Sequence, residues 1–280
     1  MKLAIKGGNP VRTKPFTKWP VFDEREENAL IEVLRSGEWG RISGKKNEEF
    51  EEKFSQFVGA RFGVTCVNGT AALEIALRAM GIGRGDEVIV PAYTFIATAS
   101  ACILVGAEPV FVDIDPDTYN IDPKQIESAI TAKTKAIIPV HIGGCPANMD
   151  EIMRIARKYN LLVLEDSAQA HGAEWKGAKV GSIGDMATFS FQASKNINAG
   201  EGGIVTTNNK KFADMAWSLM NVGRVKEGGW YDHPILGWNY RMTEFQAAIL
   251  LVQLERIEEQ MKKRERNAGY LAEGLKRIGG

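Results

Sequence analysis

Three short segments of this chain carry residue types that could do chemistry together. The first is Asn68-Gly69-Thr70-Ala71-Ala72, which lies between a strand pattern and the start of a helix pattern. Free N–H groups and the helix dipole make such a turn an anion site, and Gly69 lets a phosphate approach the backbone. The competing reading is an ordinary capped turn with Thr70 as the N-cap. No Lys follows the glycines, so it is not a P-loop, and GIGRGD (81–86) carries Asp86 where a dinucleotide fingerprint needs its third glycine. The second segment ends in Asp166, at the carboxyl end of the apolar run LLVLE (161–165). Open α/β sheets bind ligands outside that end of their strands, and a buried carboxylate is costly without a compensating cation. A helix cap for SAQAHGA is the alternative. The third is Lys195 in FSFQASKN (189–196), between a strand and a Gly-rich loop. A partly desolvated lysine gives up its proton readily and becomes an imine-forming nucleophile, whereas a solvated loop lysine does nothing.

The three segments say more together than apart. A phosphate turn, a carboxylate to keep a ring nitrogen protonated and a lysine for an aldehyde are the anchors that pyridoxal 5′-phosphate requires. Tyr93-Thr94-Phe95 supplies aromatics for a ring platform at another strand end. The protonated pyridinium would act as an electron sink, and its pairing with Asp166 would stabilise the developing charge.

Positioning these groups is work for a parallel α/β sheet, and from about residue 62 β-branched runs alternate with helical periods accordingly. FGVTCV (62–67), DEVIVP (86–91), PVFVDI (109–114), KAIIPV (135–140) and LLVLE read as strands. Helices are expected over 70–82, with Leu73, Leu77 and Met80 on one face, and over 94–104, 123–130 and 149–160. Pro123 sits in the first turn of its helix. ATFSF (187–191) and GGIVTT (202–207) are expected to be neighbours, with one antiparallel edge. A helix follows near 209–220. The Gly- and aromatic-rich stretch 221–240 has no period and is long for a passive connection, so it reads as functional or partner-facing. Thr243-Glu244 opens an amphipathic helix through Ile257 that runs on into KKRERN. Residues 1–60 read as a separate N-terminal segment outside the sheet, 61–243 as the large cofactor-binding domain, and 244–280 as a long helix leading toward a small C-terminal domain missing from a truncated product.

Composition narrows the setting. The 35 Lys and Arg balance 35 Asp and Glu, which argues against a nucleic-acid partner held by bulk charge. The longest weakly polar stretch, 96–107, is far too short to span a bilayer, and the N-terminus shows no apolar signal region. Cys66, Cys102 and Cys145 lack metal-ligand spacing and read as reduced cytoplasmic thiols. No metal site is expected.

The motifs NGTAALEIAL (68–77), GDEVIVPAYTFIATA (85–99), PVFVDIDPDTYNIDP (109–123), AIIPVHIGG (136–144), LEDSAQAHGA (164–173), ATFSFQASKNINAGEGG (187–203) and GWNYRMTEFQAAI (237–249) give the chain a resemblance to the DegT/DnrJ/EryC1/StrS aminotransferases. These are fold-type I enzymes dependent on pyridoxal phosphate, and SFQ and HIGG lean toward the branch of inosose aminotransferases and aminohydroxybenzoate synthases. The resemblance implies a ping-pong aldimine mechanism that moves an amino group from glutamate or glutamine to a keto sugar, often nucleotide-linked, or a keto-cyclitol. It implies that Lys195 binds the aldehyde and shuttles the proton, that Asp166 pairs with the pyridine nitrogen and that Gln169 meets the ring hydroxyl. Phe95 would stack on the ring, with Tyr93 as the alternative near the substrate, and Gly69, Thr70 and Ser190 would hold the phosphate. Asn239 would reach the cofactor of the other subunit in a homodimer with shared sites, with Arg241 near the substrate there. His141 and His171 are assigned no metal; His171 is expected to pack or to make a supporting hydrogen bond. Sugar dehydratases of the family carry His in place of the lysine. A catalytically incomplete or regulatory relative that binds the same cofactor is the rival reading.

Overall fold

The computed structural model describes residues 2–278; Met1 and the last two positions of the 244–280 segment, Gly279 and Gly280, lie outside the described residues. In chain order the elements are α1 (Glu24–Ser36), α2 (Lys46–Val58), β1 (Phe62–Cys66), α3 (Gly69–Ala79), β2 (Glu87–Pro91), α4 (Ala97–Val105), β3 (Glu108–Val112), α5 (Pro123–Ala129), β4 (Thr134–Ile137), α6 (Met149–Tyr159) and β5 (Leu162–Asp166). They continue with β6 (Glu174–Trp175), β7 (Ala178–Lys179), β8 (Met186–Ser190), β9 (Gly203–Thr207), α7 (Lys210–Met220), α8 (Glu244–Glu255) and α9 (Ile257–Lys276).

Seven strands form one sheet in the order β1-β9-β8-β5-β4-β2-β3, and β6 and β7 form a separate small hairpin. The pairs β8–β5, β5–β4, β4–β2 and β2–β3 are parallel, and β9 runs antiparallel to both neighbours. The antiparallel strand is therefore interior and not at the edge the sequence suggested. β9 returns directly from the Lys195 loop beside β8, so it inserts between β8 and β1.

Strand alternation sends side chains to two cores. Val88, Val90 and Leu164 meet Leu73, Leu77, Met80 and Cys102 on one face. Ile89, Ile137 and Val163 meet Ile126, Met149, Ile152 and Ile155 on the other. A third core joins the N-terminal segment to the sheet: Phe50 and Phe54 of α2 pack edge-on against Phe189 and Phe191, with Ile204, Ala247 and Leu250 around them. The described residues 2–60 add no strand, but α2 completes the hydrophobic cover of β8 and β9. Buried Glu26 accepts from Gln253 and Arg256, tying α1 to the junction of α8 and α9. That junction, at Arg256, divides the long C-terminal helix in two. Among the described residues no helix is long and apolar enough to cross a membrane.

Candidate active site

All the strands that carry candidate groups present them at one edge of the sheet. Parallel order places Cys66, Pro91, Asp166 and Ser190 at the carboxyl ends of their strands, and antiparallel β9 begins there with Gly203, paired to both Cys66 and Ser190. The turn 67–70 follows directly from β1, and the loop holding Lys195 joins β8 to β9.

At the turn, the helix begins one residue earlier than expected. Asn68, not Thr70, is the N-cap of α3, its side chain accepting from Ala71 N at 2.8 Å. Thr70 lies in the first turn, its hydroxyl free of capping duty. The amides of Gly69 and Thr70 belong to that same turn, where no preceding helical carbonyl can reach them. Gly69 is required by the protein itself: a Cβ there would stand 2.8 Å from Ser190 Cβ. The turn is thereby pressed onto the end of β8, so that amides and hydroxyls from two elements converge in one cradle suited to an anion.

Asp166 is buried, and its partners define its orientation. Thr98, in the first turn of α4, donates to Oδ2 at 2.8 Å, and Ala168 N donates to Oδ1 at 3.2 Å. The Thr98 hydroxyl also bonds that of Thr94 at 2.8 Å. Burial raises the Asp166 carboxyl above the usual range, partly offset by the Thr98 and Ala168 bonds. Lys195 is half-buried, and desolvation lowers its proton affinity, with the charge of Asp166 acting in opposition. Each group thus feels the other, and in both burial outweighs the pairing. A carboxylate held this way favours a cationic partner, and an amine held this way is readily neutral.

The remaining candidates are distributed around this pair. Gln169 turns its carbonyl oxygen to Gly143 N at 2.8 Å, leaving its amide hydrogens to donate elsewhere. Phe95 and Tyr93 are exposed beyond the end of β2, and Tyr93 packs on Tyr119 with ring centres 5.9 Å apart. His171 is buried between Phe189 and Phe191, donates through Nε2 to the Ser190 carbonyl at 2.9 Å, and is pushed down to about 3 by burial, so it is a neutral support for β8. Among the described residues its Nδ1 has no partner. His141 is also buried. Nδ1 accepts from Ala147 N, so Nε2 carries the hydrogen donated to Glu165 at 3.0 Å.

Asn239 lies on the 221–240 stretch and Arg241 directly after it. That stretch is anchored: Trp238 Nε1 and Tyr240 OH both donate to Glu74 of α3 at 2.9 Å, and Val67 N donates to the Tyr240 carbonyl. With residues 238 and 240 turned to α3, Asn239 between them is exposed, while Arg241 donates to Asn221 at 3.1 Å. Sequence reasoning missed Thr98, Glu74 and the Glu165–His141 pair. The available signal for Thr98 was a second threonine one turn after Thr94 in an otherwise small-residue helix.

A mostly parallel sheet with an anion cradle, a buried acid and a desolvated lysine at one edge defines a transferase built on fold-type I. The DegT/DnrJ/EryC1/StrS aminotransferase family model matches residues 20–280, and the chain belongs to that family. It is 42% identical over 283 residues to the L-glutamine:2-deoxy-scyllo-inosose aminotransferase of Streptomyces paromomycinus, covering 96% of this chain and 67% of that protein. It is 41% identical over 275 residues to the 3-amino-5-hydroxybenzoate synthase of Amycolatopsis mediterranei, covering 97% and 71%. Among solved structures, Spr1654 from Streptococcus pneumoniae in its PLP form aligns with a TM-score of 0.87 at 34% identity, over 94% of this chain and 72% of that one. The branch expected from SFQ and HIGG is the one to which these relatives belong.

Proposed function

We propose that this chain is an aminotransferase dependent on pyridoxal 5′-phosphate that moves the amino group of glutamine or glutamate to a keto sugar or keto-cyclitol. The observation that carries this reading is that buried Asp166, half-buried Lys195 and the Gly69–Ser190 cradle all lie at the carboxyl ends of neighbouring strands. The donor set fits the cofactor: free amides and hydroxyls for a phosphate, an acid that wants a cation, and an amine ready to be neutral. Bound there, pyridoxal phosphate would supply an electron sink for the pair released when a Cα–H bond of the amino donor breaks.

The chain's own residues do the rest. Gly69, Thr70 and Ser190 would hold the phosphate, Gln169 the ring hydroxyl, and Asp166 a proton at the ring nitrogen. Thr98 and Ala168 fix the carboxylate so that it meets that nitrogen without reorganising. Lys195 Nζ, its proton affinity lowered by burial, would hold the aldehyde carbon and then move the proton. Phe95, or else Tyr93, would cover the ring. In a homodimer the exposed Asn239 and nearby Arg241 would complete the site of the second copy, and the unit 61–243 would carry the cofactor. The three free thiols support a reducing, cytoplasmic setting.

The test is spectroscopic. Adding pyridoxal phosphate to the purified protein should produce a visible band that glutamine or glutamate bleaches and a keto-cyclitol restores. Lys195→Ala should give no band. A wild-type protein without the band, or turnover retained in Lys195→Ala, would refute the assignment. A band that neither donor bleaches would favour a non-catalytic relative.

A further inference from the structure

The loop between β8 and β9 carries Lys195 without regular secondary structure. Its base is closed by its own backbone, through Phe191 N to Gly202 O at 2.8 Å and Ala193 N to Gly200 O at 3.0 Å. Its tip is organised locally: Lys195 N donates to Gln192 O, Ser194 donates to the Gln192 side chain, and Asn198 donates to the Lys195 carbonyl. Among the described residues, a single hydrogen bond reaches residues 192–201 from outside the β8–β9 segment. It comes from Trp19, 174 positions earlier, whose indole N–H donates to Ala193 O at 2.9 Å. The half-buried ring is in turn covered by Arg264 of α9, with the guanidinium 4.8 Å from the ring centre. Three distant parts of the chain therefore meet two residues before the amine.

We propose that Trp19 is a positioning residue for Lys195, its indole N–H gripping the loop that presents the amine. The inference rests on the aminotransferase reading above. Ala193 is joined to Lys195 by a single turn, so a released carbonyl at 193 lets the tip move away from Asp166 and take up water. The Asp166 carboxylate on β5 acts on the amine, and the buried, neutral ring of His171 is near enough to feel the charge of the amine. Neither travels with the loop. A loosened loop thus hydrates Lys195 while leaving its partners in place, and the amine holds its proton to higher pH. A Trp19 that merely fastens the N-terminal segment would change stability without touching that titration.

The experiment uses the full chain loaded with pyridoxal phosphate and compares wild type, Trp19→Phe and Arg264→Gln. Trp19→Phe keeps an aromatic ring, smaller than the indole, for Arg264 to cover and removes the donor. The pH at which the visible band develops should move upward, and bleaching by saturating glutamine should slow by roughly fivefold, the loss of one hydrogen bond, with the melting temperature unchanged. Arg264→Gln, which loosens the ring but keeps the N–H, should shift both readouts in the same direction by less, and carries the test if Trp19→Phe melts early. Wild-type behaviour in both variants overturns the inference, and so does slower bleaching with the pH onset unmoved. A wild-type chain that forms no band overturns the aminotransferase reading, and this inference with it; a wild-type band with an indifferent Trp19→Phe overturns this inference alone.

Discussion

The hydroxyl of Thr98 donates to Asp166 Oδ2 across 2.8 Å, from the first turn of a helix to the end of a strand 68 residues later. The bond is buried, and it is the larger of the two hydrogen bonds that hold the acid's proton affinity down against burial. Thr98→Val keeps the shape and removes the donor. A hydrogen bond to a charged group contributes about 1.5–3 kcal/mol, so kcat/KM should fall by roughly 10- to 100-fold, while Thr98→Ser should stay near wild type. Equal steady-state kinetics for Thr98→Val and wild type would show that the Ala168 amide alone orients the carboxylate.

Asp166 also predicts a conflict between stability and function. Its folded proton affinity is raised by burial, so its favourable contribution is complete below the unfolded value near 3.8 and is lost as pH rises through the raised folded value. At neutral pH the charged, buried acid is therefore a cost in the cofactor-free protein. Asp166→Asn keeps the bond from Thr98 but turns its NH2 toward the Ala168 N–H, so the melting temperature of that form at pH 7 should rise by roughly 2–4 °C for each kcal/mol by which the relieved charge burial exceeds the lost Ala168 bond. The two proteins should converge toward pH 4, and turnover should be lost. Calorimetry showing the variant no more stable at pH 7 would contradict the sign.

Most of this architecture was legible in the sequence because the sheet is parallel and its strands are short apolar runs between helical periods. Asp166, Ser190 and Lys195 could be placed at strand ends for the same reason. Contacts between elements were not legible. Nothing in the pattern of α2 says that Phe50 and Phe54 will cover β8, since one apolar stripe fits any apolar face. The position of β9 escaped notice because strand order depends on tertiary closure, and the N-cap was misjudged because Asn68 and Thr70 are both good caps. Trp19, Glu74 and Thr98 each act on a residue more than 60 positions away, a relation that periodicity does not encode.

Beside Asp166, Glu165 does a structural task. Its carboxylate, fully buried, accepts from Gly181 N, Ile183 N and Gly184 N at 2.8–2.9 Å and from His141 at 3.0 Å. Burial pushes its proton affinity up, but the bond from His141 and those from the Gly181 and Gly184 amides outweigh that and leave it below the usual range. The stabilisation is therefore present above the unfolded value near 4.5 and lost as pH falls through the depressed folded value. Glu165→Gln puts an NH2 where only acceptors fit, and should cost about 3–5 kcal/mol at pH 7. Melting curves from pH 7 to pH 3.5 should show the wild type losing stability in acid along a limb that is flatter in the variant; parallel curves would exclude Glu165 as the source.

Glu74 ties the helix that opens with Gly69 and Thr70 to the stretch that presents Asn239. It sits on α3, whose first turn holds Gly69 and Thr70, and accepts from Arg78, Trp238 and Tyr240, each at 2.9 Å. Burial and the bond to Glu74 together push the Tyr240 hydroxyl up to about 12. Glu74→Gln offers one acceptor oxygen where two are used, so at least one anchor loses its partner, at about 1–3 kcal/mol for a buried donor. Amide exchange across 222–241 should accelerate, the Tyr240 titration seen by ultraviolet absorbance should fall below about 12 because burial alone then raises it, and, on the role proposed for Asn239, pyridoxal phosphate should dissociate faster. If exchange in this stretch is unchanged while Tyr240 titrates lower, the backbone bonds of Trp238 to Leu219 and Tyr240 to Met220 suffice to hold it, and Glu74 sets only the ionisation of the tyrosine.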